Sequence, residues 1–174
     1  MTGTDRQSSA VADLLAHALA IEQEACARYR ELAEQMDVHN NPATAKFFRR
    51  MVRLEGMHTD RILAQAANCR LPTLAPWEYG WSDPEAPETA DFADVHHLLT
   101  PTQALHLALH NERRAHDYFQ AIASTATDAD IRDLARELAA DERQHMEWLA
   151  HELKDADTHP EPPRTDMDPP LAQE

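Results

Sequence analysis

The 174 residues suit one domain with a sizeable core, and a composition 43% hydrophobic with only 3 Gly predicts helices joined by few tight turns. A formal charge of −15 argues against nucleic acid and anionic membrane surfaces as partners, because their phosphates would repel the chain. No apolar run is long enough to span a bilayer, and residues 1–10 lack the basic and apolar parts of a signal peptide, so a cytoplasmic protein is expected.

Apolar residues at alternating three- and four-residue steps predict a first helix over roughly 8–37. Its inward series is Val11, Leu15, Ala18, Glu22, Ala25, Tyr29, Leu32 and Met36. A short link at 38–41 leads to a second helix over roughly 42–68, with Phe48, Met51, Glu55, His58, Ile62 and Ala66 inward. Its stretch RLEGMHTDRIL (53–63) also offers Leu54, Met57 and Leu63 as packing residues. Residues 70–99 are Pro-rich and longer than most loops. They are expected to form a crossover pinned to the helices by Trp77, Tyr79 and Trp81, with an electron-entry or docking patch as the alternative role of these aromatics, and with His96 and His97 exposed.

Thr100-Pro101-Thr102-Gln103 supplies an N-cap, a Pro at the first helical position and a capping-box Gln. The third helix then runs over roughly 101–125, with Leu105, Ala108, Glu112, Ala115, Phe119 and Ile122 inward. A link at 126–127 precedes a fourth over roughly 128–153, with Ile131, Leu134, Leu138, Glu142, His145 and Leu149 inward. The acidic, Pro-rich residues 154–174 read as a disordered tail. Short links make two antiparallel hairpins, and the long crossover lets the second and third helices run parallel. The expected fold is all-α, an antiparallel four-helix bundle over residues 8–153.

The chain repeats itself. ALAIE (18–22) returns as ALHNE (108–112), and Glu55-x-x-His58 returns as Glu142-x-x-His145. The seams place four carboxylates and two imidazoles at comparable depth. Four ionised carboxylates are not tolerated alone in a low-dielectric core, and two divalent cations neutralise them. Mixed oxygen and nitrogen ligands suit iron or manganese better than zinc. The two cysteines, Cys26 and Cys69, form no C-x-x-C, which excludes a Cys-rich zinc, iron–sulfur or rubredoxin-type site within these residues.

With Glu22 and Tyr29, Glu55-x-x-His58, Glu112, and Glu142-x-x-His145, the chain resembles the ferritin-like superfamily. The resemblance is to its rubrerythrin-like and bacterioferritin-like di-iron proteins in particular. It implies two iron ions, with manganese as the alternative, held by Glu22, Glu55, His58, Glu112, Glu142 and His145. It further implies reduction of hydrogen peroxide or dioxygen with electrons from an external electron-transfer protein, and a homo-oligomer such as a dimer. Tyr29 is expected to act at the site, by hydrogen-bonding a ligand carboxylate or passing an electron. The alternative is a ferroxidase feeding iron storage, either in its own shell or as encapsulated cargo. The chain departs from full-length rubrerythrins in having no rubredoxin-type Cys site and in having Ala115 where they tend to carry a further Glu.

Three more residues have two readings each. His116 is a further ligand or proton relay, or an ordinary half-buried histidine. Asp141 holds the ring N–H of a ligating His, or lies on the surface. Cys26 reads as a small buried hydrophobe more than as a redox thiol, and it cannot reach Cys69 within one subunit.

Overall fold

The computed structural model describes residues 3–75, 87 and 98–158. Four helices make an all-α bundle: α1 (Gly3–Val38), α2 (Pro42–Gln65), α3 (Pro101–Thr125) and α4 (Ala129–Thr158). No strand occurs among the described residues. Three boundaries differ from expectation. α1 begins at Gly3 rather than near residue 8. α2 ends at Gln65 in a tighter 3-10 turn, Ala66–Asn68, and α4 continues to Thr158, so residues 154–158 extend the helix rather than open the tail. The expectations for Trp77, Tyr79, Trp81, His96, His97 and the tail from residue 159 lie outside the described residues.

The chain stops and restarts its helices with local chemistry. After α1, Asn40 takes φ 50°, a left-handed conformation that Asn tolerates better than most residues. The N–H of Asn41 then reaches back to Met36 O at 2.7 Å, and that of Asn40 to Asp37 O at 3.0 Å, pairing carbonyls the helix end would leave open. Thr100 and Gln103 form the expected capping box, with bonds of 3.2 and 2.9 Å. Asp128 Oδ1 accepts from the N–H groups of Asp130 and Ile131 at 2.9 and 3.3 Å, which caps α4.

One buried clamp fixes the topology. Asn41 Nδ2 and Thr44 Oγ1 at the head of α2 both donate to Leu99 O, each at 2.8 Å. The crossover therefore returns to the end where α2 begins, and α3 runs parallel to α2. The pairs α1/α2 and α3/α4 are the closely packed hairpins.

Two apolar layers fill the interior. One gathers Ala25, Tyr29, Phe48, Met51, Ala108 and Leu149. The other gathers Leu15, Ala18, Ile62, Ala115, Phe119 and Leu138. Each large side chain removed from water stabilises the fold by about 1.5–3 kcal/mol. On every helix the seam Glu stands between a residue of one layer and a residue of the other. Met57 and Leu63 do not pack as expected: they are 65% and 46% exposed. The inward line of α2 runs through Met51, Glu55 and Ile62, and positions 57 and 63 rotate away from it. No helix among the described residues is long and apolar enough to cross a membrane.

Candidate metal centre

Each helix contributes one carboxylate to the plane between the apolar layers. Glu22, Glu55, Glu112 and Glu142 are all buried, with at most 1% exposure. α2 and α4 add imidazoles one turn further on, because residues i and i+3 share a helix face. His58 Nδ1 lies 3.3 Å from Glu22 Oε1, and His145 Nδ1 lies 2.9 Å from Glu112 Oε2. Glu142 is 4.0 Å from His58 and 3.9 Å from His145, so it faces both rings. The rings stack, with centroids 4.3 Å apart and planes 24° from parallel.

Ligand atoms fall into three groups, each within 4.8 Å: Glu55 with His58 and His145, Glu22 with His58 and Glu142, and Glu112 with Glu142 and His145. Together they use all six residues expected from the sequence.

The electrostatics are those of a site short of positive charge. Burial raises the Glu142 carboxyl well above the ordinary carboxylate range, and the charges of Glu22 and Glu112 raise it further. Burial also raises Glu22, opposed by the hydrogen bond and charge of His58. Burial pulls His58 down, but the Glu22 bond and the charges of Glu22, Asp141 and Glu112 prevail and raise it overall. Glu22 Oε2, Glu112 Oε1 and both Glu142 oxygens meet no N–H or O–H donor among the described residues. Glu142 instead faces Glu112, another acceptor. Buried acceptors without donors normally cost about 1–3 kcal/mol each, more when charged. Cations between them remove that cost, so these residues fit a pair of divalent ions.

The other expected residues take varied places. Tyr29 is fully buried, its ring stacked on Phe48 at 6.0 Å, and its hydroxyl accepts a hydrogen bond from Asn111 Nδ2 at 3.3 Å. His116 pairs with Asp117 at 3.0 Å and stands outside the three groups. Asp141 makes an ion pair of 2.7 Å with Arg61, and its charge also acts on His58. Cys26 and Cys69 are both free and half-buried; Cys26 is not the sealed hydrophobe its small size suggests.

Asn111 was not legible as a site residue, although it is completely buried beside Glu112. The signal was its place in the series Ala104, Ala108, Asn111, Ala115, a second inward line of α3 at helical steps.

A helical bundle with carboxylates from all four helices and two Glu-x-x-His pairs is the architecture of di-metal carboxylate proteins. The rubrerythrin family model matches residues 13–153, and the chain belongs to the rubrerythrin family. Among solved structures it is similar to an uncharacterised conserved protein from Magnetospirillum magnetotacticum MS-1. The two are 37% identical, the match covers 88% of this chain and 98% of the other, and the TM-score is 0.64. No protein of curated function matches the chain.

Proposed function

We propose that this chain is a di-iron oxidoreductase that reduces hydrogen peroxide or dioxygen with electrons from a separate donor protein. The observation that carries the reading is the buried convergence of four carboxylates and two stacked imidazoles, with carboxylate oxygens that meet no donor.

On this reading the six residues hold two ions: Glu112, Glu142 and His145 form one group, Glu22 shares His58 and Glu142 in another, Glu55 faces both imidazoles, and Glu142 joins two of the groups. A bound iron pair would supply two one-electron changes and two Lewis-acid positions for an oxygen–oxygen bond. The chain's own part is to orient and shield. The apolar layers above and below exclude water from the carboxylates. The only ligands with appreciable exposure are His58 and His145, at 15% and 11% of their side chains, so the oxidant enters on the imidazole side. Tyr29, held by Asn111 in the layer beside the site, passes an electron or steadies a ligand through its hydroxyl. Both cysteines are single free thiols, which supports an electron source outside these residues.

The test is to load the protein with ferrous iron without oxygen and mix it rapidly with peroxide or with oxygen. Fast oxidation by peroxide that stops after about one turnover per site, and restarts with a reduced electron-transfer protein, is the expected result. Sustained turnover on peroxide alone would mean dismutation instead. Fast oxidation by oxygen, with no reaction on peroxide and no restart by a reduced electron-transfer protein, would favour the ferroxidase alternative.

A further inference from the structure

Between the outer faces of α1 and α2 lies an open groove of about 630 Å³, lined by Cys26, Arg30, Arg53, Gly56, Met57 and Asp60 among others. Three features set it apart from ordinary surface. The first is Gly56, which sits mid-helix, where glycine is a poor choice, with no positive φ to require it. A Cβ built there meets nothing within 4 Å, so packing does not require it either. Its effect is to keep the groove floor low beside Glu55.

The second is Met57, an apolar side chain 65% exposed next to that floor. The third is charge. Arg53 has no carboxylate partner among the described residues, and Arg30 gives its hydrogen bond to Cys26 Sγ at 3.5 Å. Asp60 is the acidic side chain in the lining. Two arginines against one aspartate leave the lining net positive on a chain of net charge −15.

An apolar centre with a charged rim is the anatomy of a small, transient interface, in which charge guides the approach. The position is equally specific. Gly56 directly follows Glu55, and Cys26 stands one turn after Glu22, so the groove backs onto two carboxylates of the candidate centre through one helix wall. We infer that this groove docks a small acidic electron-transfer protein, which delivers electrons to the site from the side away from the exposed imidazoles. The inference rests on the donor-dependent function proposed above.

Reduced rubredoxin, a small acidic carrier with one iron, serves as the probe. In the iron-loaded, peroxide-oxidised protein, Arg30→Glu/Arg53→Glu lowers the rate of rubredoxin oxidation at least tenfold at low salt. Added salt brings the parent rate down toward that of the variant. Gly56→Leu, whose side chain enters the groove and not the core, lowers the same rate without changing charge. NMR line broadening of rubredoxin on the metal-free protein, free of any redox step, is lost in the double variant. Variant rates and binding equal to the parent's would overturn the docking inference and leave the proposed function standing. So would a native mass showing that Arg53→Glu splits a dimer, since the groove would then seat a second copy. A parent that oxidises no rubredoxin under any salt condition would overturn both.

Discussion

Burial pushes the Glu142 carboxyl well above the ordinary carboxylate range in the metal-free bundle. It is buried, it faces Glu112, and the charges of Glu22, Glu112 and Glu55 all oppose its ionisation. Glu142→Gln removes a charge the core cannot solvate while keeping the volume. The metal-free variant is therefore expected to melt at the parent temperature or a few degrees above it, about 2–4 °C per kcal/mol gained. Its iron content should fall by about half or more, because Glu142 joins two of the three ligand groups. A large drop in the melting temperature of the metal-free variant would make Glu142 structural instead.

The same groups set a pH dependence. Glu22 and Glu142 are raised above the usual 4.5, so above that value the folded chain keeps protons the unfolded chain has lost. Their contribution to stability therefore declines as pH rises from 4.5 through the folded values. His58 is raised above 6.5, so its contribution is full below that value and also lost on going up. All three act in one direction. The metal-free protein is expected to show a higher urea midpoint at about pH 5 than at about pH 8. Bound iron should flatten or reverse the order, since the ions select the deprotonated carboxylates. A metal-free protein more stable at the higher pH would contradict the assigned shifts.

At the scale of elements, the clamp on Leu99 O decides how the two hairpins join. Asn41→Ala removes a buried donor from that carbonyl at a position with no exposure. The expected loss is about 1–3 kcal/mol, measured by urea unfolding. A variant as stable as the parent would show that packing alone returns the crossover to α2. The four helices, their order and the capping box at Thr100 were legible because each rests on local chemistry: apolar periodicity, Pro at a first turn, Thr and Gln at set spacing. The six site residues were legible because polar groups interrupted apolar seams twice in the same pattern. Met57 and Leu63 were misread because apolar character alone does not give rotation about a helix axis, and a neighbouring carboxylate held the inward position. Helical steps could have shown that Asn111 turns inward, but its bond to Tyr29 and the Asp141–Arg61 pair join helices distant in sequence, which periodicity along one helix does not carry.

For the whole molecule, two apolar layers enclose a plane of four carboxylates, where burial and neighbouring charges oppose the ionisation of Glu22 and Glu142. On the proposed function, folding and metal binding would be linked: ions held by the folded chain would raise its stability by mass action. At an iron concentration 100 times the dissociation constant the gain is about 2.7 kcal/mol for each site filled, and the expected rise in melting temperature is about 5–10 °C per site. A thermal melt with and without ferrous iron checks it, and coincident curves would mean that the ions do not bind the folded core.

The central claim is that the six residues form a metal centre, and metal content tests it most directly. The protein is purified, stripped, reconstituted with ferrous iron without oxygen, freed of unbound ions and analysed for iron per chain, beside Glu55→Ala and Glu142→Ala. The account predicts about two irons per parent chain and a clear loss in both variants, with helical content retained. Trace iron in the parent, or equal iron in all three proteins, would contradict it.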